Sequence, residues 1–253
     1  MKLQVYFLTF LITTCLSCSS EPINSQEQTP PKVLPPIEVS EIEETDNPVG
    51  PETIKYLALG DSYTIGQSVC ETCRYPEILK RDILKNLDSV YNLDLSVIAT
   101  TGWTTTDLIN AITNENPSSD FDLVTLLIGV NNQYQNIVFN VYQSEFPKLV
   151  NTAIAKAKSN KEHVIVVSIP DYAYTPFGRG NTNISADLDR YNTFAKNYCD
   201  SNNITYVNIT DITRQGLENP NLVANDGLHP SELAYSMFVE RLLPVAIEKL
   251  KLE

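Results

Sequence analysis

The 253-residue chain has little histidine (two residues), little tryptophan (one), and few basic side chains, 18 Lys and Arg against 31 Asp and Glu. Its formal net charge of −13 argues against a nucleic-acid binder, because phosphate contacts need clustered Lys and Arg. Such a charge keeps an envelope protein soluble and favours neutral or cationic small molecules only weakly. Thiols are also scarce. Beyond Cys15 and Cys18 near the start, only Cys70, Cys73 and distant Cys199 remain, short of the four ligands that structural zinc takes. With His163 and His229 as the only imidazoles, any chemistry that needs a histidine base has almost no choice.

Three regions differ in composition. Met1-Lys2 is followed by a mostly apolar run from Leu3 to Leu16, too short to span a bilayer stably, and then Ser17-Cys18. This is expected to be a signal peptide over residues 1–18, and Leu16-Ser17-Cys18 resembles a bacterial lipobox in which Cys18 is lipidated. A secreted protein cut at a nearby small residue, or a cut before Cys15, is the alternative. Residues 19–52 are rich in Pro, Glu, Ser, Thr and Asn with isolated apolar residues, a stalk that cannot bury enough surface to fold. Residues 53–253 form one domain, with no further linker.

Within that domain apolar strand-like runs alternate with amphipathic stretches. Strands are expected at Lys55–Leu59, Leu93–Ala99, Asp122–Ile128, Val164–Ile169 and Ile204–Ile209, all rich in Val, Ile and Leu. Helices are expected after Tyr75, over about 104–114, 141–159 and 185–201, and from about Ser231 to Leu250. Thr104 and Asp107 have capping-box spacing, and Ser185 is read as a helix start. Pro147 and Pro244 fall inside helical patterns and should kink them or start a new turn. Five alternations imply right-handed crossovers and an α/β domain, a three-layer αβα sandwich on a five-stranded parallel sheet.

Two short segments propose chemistry. Gly60-Asp61-Ser62 ends the first strand, and Asp226-Gly-Leu-His229-Pro230 lies near the other end of the chain. A serine hydroxyl becomes a nucleophile when an imidazole takes its proton, and the imidazole needs a carboxylate to fix its tautomer. Ser62, His229 and Asp226 supply all three, and Asp-x-x-His spacing puts carboxylate and ring one turn apart. In open parallel sheets, sites form outside the carboxyl ends of the strands. Ser62 follows the first strand, Gly102 and Trp103 the second, Gly129, Asn131 and Asn132 the third, Asp171 the fourth, and Asp226 and His229 the fifth. His163 precedes the fourth strand, belongs at the opposite edge and is read as structural. Asp61 is expected to brace its turn through backbone N–H groups.

These blocks resemble those of the SGNH (GDSL-type) hydrolases, over about residues 55–240. Gly60-Asp61-Ser62-Tyr63 looks like the first block, Gly102 the second, Gly129-Val130-Asn131-Asn132 the third, and Asp226-Gly-Leu-His229 the fifth. Asn132 departs from the family's usual aspartate, whereas the side-chain donor is the preceding Asn131. The resemblance implies the family's flavodoxin-like fold, a Ser62–His229–Asp226 triad, and an oxyanion hole made by the backbone N–H groups of Ser62 and Gly102 with the Asn131 side chain. It implies neither metal nor organic cofactor.

Cys70-Glu-Thr-Cys73 has redox-motif spacing but follows the nucleophile; a local disulfide and two free thiols both remain open. Trp103 and the aromatic loop from Asp171 to Arg179, including Tyr172, place rings at the active edge, for substrate contact or for packing. Asn183, Asn203 and Asn208 begin glycosylation triplets that a bacterial source would leave unused.

The expected protein is a serine carboxylic-ester hydrolase, lipid-anchored at the bacterial outer membrane and touching the membrane only through that anchor. It would remove small acyl groups from carbohydrate or other small esters. Lysophospholipase, thioesterase or O-acyltransferase chemistry, or a non-catalytic glycan-binding lipoprotein, are the alternatives.

Overall fold

A computed structural model describes residues 52–87 and 90–250, so the leader, most of the stalk and Cys18 lie outside the described residues. Five strands, β1 (Glu52–Gly60), β2 (Tyr91–Ala99), β3 (Leu123–Leu127), β4 (Val164–Val167) and β5 (Thr205–Val207), form one parallel sheet in the order β2-β1-β3-β4-β5. Every residue of β3 and β4 is buried, as expected of strands covered on both faces.

The helices are α1 (Ser62–Ile65), α2 (Tyr75–Lys85), α3 (Thr105–Glu115), α4 (Val130–Tyr134), α5 (Phe139–Lys156), α6 (Thr182–Asn202), α7 (Thr210–Thr213) and α8 (Glu232–Leu250). α2 packs on α8 and, in a second layer, α3 packs on α5 and α5 on α6. Right-handed crossovers account for both layers: leaving β1 for β2 puts α2 on one face, the return past β1 puts α3, α5 and α6 on the other, and α8 after the last strand packs beside α2. The core between them is aliphatic and aromatic, including Leu57, Leu59, Leu126, Tyr142, Phe146 and Phe238.

Gly60 is level with Ala99 of β2 and Leu127 of β3, so three loops leave the sheet side by side. The chain reverses direction across the sheet at β1, which opens a crevice beyond its carboxyl end.

Several element ends differ from expectation. β4 and β5 stop early because side chains take over the backbone groups that would extend the ladder. The Ile169 N–H donates to Asn192 Oδ1 at 2.8 Å and its carbonyl accepts from Asn192 Nδ2 at 3.0 Å. The Ile209 N–H likewise donates to Ser168 Oγ at 2.8 Å. α6 opens at Thr182 rather than Ser185, because Asn181 caps it by accepting from the Asn183 N–H, and Ser185 is turned to another use. α5 begins at Phe139, and the separate α4 before it was not foreseen. The Thr104–Asp107 capping box is present, and Pro147 and Pro244 lie within α5 and α8. Cys70 and Cys73 are joined in a disulfide, while Cys199 is buried and free; burial pushes its thiol up to about 12.

Candidate active site

Asp61 follows β1 and caps α1, accepting from the Tyr63 N–H at 3.0 Å, which presents Ser62 in the first position of the helix. The Asp61 side chain is fully buried. Burial pushes its carboxyl up to about 7, and the backbone N–H groups of Tyr63, Gly129 and Asp61 only partly offset it.

The third strand turns into α4 at Gly129, whose φ of +127° and closeness to Tyr142 leave no room for a side chain; an added Cβ would stand 2.5 Å from that ring. α4 then ties the neighbouring loops together. Asn131 Nδ2 donates to the Trp103 carbonyl at 2.9 Å, leaving the second amide hydrogen for another acceptor. Asn132, fully buried, accepts from the Thr105 N–H at 3.0 Å and donates to Thr105 Oγ1 at 2.7 Å, so it anchors the start of α3. Gln133 Oε1 accepts from the Tyr172 hydroxyl at 2.7 Å, and Gln135 Nε2 donates to the Gly102 carbonyl at 2.8 Å. Gly102 itself has φ +88°, with open space where a Cβ would stand.

On the opposite side, Asp226 Oδ2 lies 2.6 Å from His229 Nδ1 and accepts from Ser68 Oγ at 2.6 Å. Oδ1 accepts from the N–H groups of Leu228 and His229, at 2.9 and 3.0 Å. Burial opposes ionisation of Asp226, but the Ser68 hydroxyl, the two N–H groups and the His229 ring outweigh it and hold its carboxyl well below the usual range. His229 is buried, and its ring meets Tyr63 edge-on with ring centroids 5.7 Å apart.

Ser62, Gly102, Asn131 and His229 line a single cavity of about 170 Å³, together with Tyr134, Tyr172 and Leu228. The arrangement thus combines a hydroxyl, an imidazole held by an ionised carboxylate, and amide donors around one open cavity.

Residues 58–237 match the GDSL-like lipase/acylhydrolase family. The chain belongs to that family. It is an ester hydrolase by that membership. The fold agrees with solved GDSL-type structures. A lipolytic protein of the G-D-S-L family from Veillonella parvula is 19% identical over 76% of this chain and 97% of its own, with a TM-score of 0.58. A lipase/acylhydrolase from Enterococcus faecalis is 21% identical over 79% and 97%, with a TM-score of 0.58. An acetylxylan esterase from Geobacillus stearothermophilus is 18% identical over 80% and 96%, with a TM-score of 0.54. A comparison with curated protein sequences finds no match.

In this GDSL hydrolase, Asp226 stands behind His229 rather than in the cavity wall, and Tyr172 lies in the wall. Trp103 is half-buried against the hydrophobic cluster and is not among the lining residues; its carbonyl, rather than its ring, touches the site through Asn131. His163 closes a short turn before β4, at the far end of the sheet. Asp171 is buried and accepts from Ser185 Oγ, from Arg214 Nε at 2.9 Å and from the Ala173 N–H at 3.0 Å, which fixes the backbone on both sides of Tyr172.

Sequence reasoning missed Ser68 and Tyr134, and anticipated Phe177 only as part of the aromatic loop from Asp171 to Arg179. Tyr134, Tyr172 and Phe177 form a triangle of rings with centroids 6.1 to 6.2 Å apart, and Tyr134 and Phe177 are about half exposed. Tyr134 follows Asn131 by three residues, so recognising α4 would have placed both on one helix face. Ser68 carries no motif signal.

Proposed function

We propose that Ser62 is the nucleophile of an ester hydrolase whose base is His229, held by Asp226, and that the enzyme removes small acyl groups from carbohydrate esters. The observation carrying this reading is the Asp226-held ring of His229 on the same cavity as Ser62, Gly102 and Asn131.

Ser62 Oγ attacks the ester carbonyl while His229 Nε2 takes its proton. The carbonyl oxygen becomes an anion met by the backbone N–H groups of Ser62 and Gly102 and by the Asn131 amide hydrogen not engaged by Trp103. Asp226, kept ionised, stabilises the imidazolium. Collapse expels the alcohol, which receives the proton from His229, and leaves an acyl-Ser62 ester. Water, deprotonated by His229, then attacks that ester; as the acyl–Oγ bond breaks His229 returns the proton to Ser62 Oγ and the acid is released.

The cavity favours a short acyl group: its 170 Å³ falls below the roughly 300 Å³ at which drug-sized pockets begin. The ring triangle extends from the cavity wall toward the histidine loop, where the Phe177 N–H donates to the Gly227 carbonyl at 3.0 Å. Since His229 must protonate the departing alcohol, the rings flank the alcohol side, and a sugar's C–H face packs well on aromatic faces. An acetylxylan esterase among the fold relatives is consistent with that choice.

Tyr134→Ala and Phe177→Ala should each raise KM about tenfold for an acetylated oligosaccharide, the factor of about 1.4 kcal/mol of lost contact. Neither should change KM for ethyl acetate, which has no ring to stack. Equal KM values for the sugar ester in parent and variants would remove the carbohydrate assignment, and preference for an octanoyl ester would favour lipase-like chemistry.

The enzyme is further proposed to be anchored in the bacterial envelope through lipidated Cys18, on the strength of the leader sequence. Mass spectrometry of the mature amino terminus should find a diacylglyceryl cysteine; an unmodified terminus beyond residue 18 would contradict it.

A further inference from the structure

We propose that Ser68 is a positioning residue of this site: its hydroxyl fixes Asp226, and through it the His229 ring, against the loop that carries the nucleophile. This rests on the reading of Asp226 and His229 as the acid–base pair.

A carboxylate offers about four acceptor positions, and Asp226 has four donors around it. Three of them belong to its own turn: the N–H groups of Leu228 and His229 and the His229 ring. They hold the carboxylate, the turn and the imidazole together as one unit, yet fix none of it relative to Ser62. Ser68, 158 residues away in sequence, is the donor from outside that turn.

Ser68 is in turn tied to the nucleophile. The Ser62 carbonyl accepts from the N–H groups of Gly66 and Gln67, at 3.1 and 3.0 Å, so the chain from Ser62 to Ser68 is a short, closed unit. The adjacent Gln67 Oε1 accepts from Thr101 Oγ1 at 2.6 Å, next to Gly102. Consecutive residues therefore reference the oxyanion loop and the histidine loop to the same short segment. The Cys70–Cys73 disulfide closes the chain just beyond and limits its slack.

The backbone of Ser68 supports a role for the hydroxyl. Its φ is +69° in an exposed loop, a conformation that glycine adopts with less strain than any L residue. Nothing in the local backbone calls for serine there. What serine adds is a charge-assisted hydrogen bond to the carboxylate.

The full-length protein is assayed on ethyl acetate by proton release, comparing parent, Ser62→Ala, Ser68→Ala and Ser68→Gly. Ser68→Ala deletes only the hydroxyl, and Ser68→Gly removes the hydroxymethyl group at a backbone conformation that glycine adopts without strain. Both Ser68 variants should lower kcat about tenfold at unchanged KM, and Ser68→Gly should melt within about 4 °C of the parent. A kcat within twofold of the parent's overturns the proposal. So does a parallel fall of kcat and melting temperature in Ser68→Gly with a rise in KM, the pattern of a merely structural contact. Loss of hydrolysis in Ser62→Ala tests the site's assignment and not this one. NMR of the two imidazoles gives a readout that does not depend on turnover: the His229 ring signals should move in Ser68→Gly while those of His163, at the far end of the sheet, stay. An unmoved His229 ring overturns the proposal whatever the activity.

Discussion

Asp61 occupies the position before the proposed nucleophile with its side chain fully buried, and burial sets its carboxyl near 7. An acid whose folded pKa exceeds its unfolded value binds more protons when folded, so its contribution to stability falls as pH rises between the two values. For Asp61 that window runs from 3.8 to about 7. The ceiling on the effect is about 4 kcal/mol. Asp226 has the opposite sign: its lowered pKa contributes stability above the ordinary carboxylate range, and that contribution is lost on acidification. Thermal melts from about pH 5 to pH 8 should therefore show the parent losing stability relative to Asp61→Asn as pH rises. Parallel curves would mean that Asp61 titrates normally. At this scale the sequence was readable where a residue type carries chemistry at a fixed spacing, as with Asp226 and His229. It was silent on Ser68, whose role comes from a contact made far along the chain.

Among the elements, α4 contributes most to the geometry of the site for its length. Its five residues, with the following Gln135, hold Trp103, Thr105, Tyr172 and Gly102 through side-chain hydrogen bonds. A helix so short has no hydrophobic period to read, which is why the sequence showed only a loop there. The ends of β4 and β5 were unreadable for a related reason. One isoleucine follows the last ladder pair in each strand, Ile169 and Ile209, and the Asn192 and Ser168 side chains take the N–H groups that would extend the ladder. The longer strands and helices were legible because their apolar pattern is sustained over several turns or pairs. α4 also aims Asn131, whose amide is one of the proposed oxyanion donors. Asn131→Ala should lower kcat for an aryl acetate by about a hundredfold, at the lower end of the cost of one such donor. Turnover within a few-fold of the parent would remove Asn131 from the oxyanion hole.

At the scale of the whole molecule, the site is a consequence of topology. Strand order β2-β1-β3-β4-β5 puts the reversal at β1, and the level ends of β1, β2 and β3 bring Ser62, the Gly102 loop and α4 to one edge. The loop after β5 brings His229, with Asp226 behind it, to the same cavity from the other side. That convergence was inferable from the order of strands and motifs, because a parallel sheet allows only one edge to collect them. The shape of the cavity and the ring triangle were not, since they depend on how loops fold over that edge. The measurement that bears most directly on the central claim is hydrolysis of aryl acetate by the full-length parent and by Ser62→Ala at the same concentration. If Ser62 is the nucleophile, the rate falls by about 10⁴-fold or more in the variant, and a variant within tenfold of the parent would contradict it.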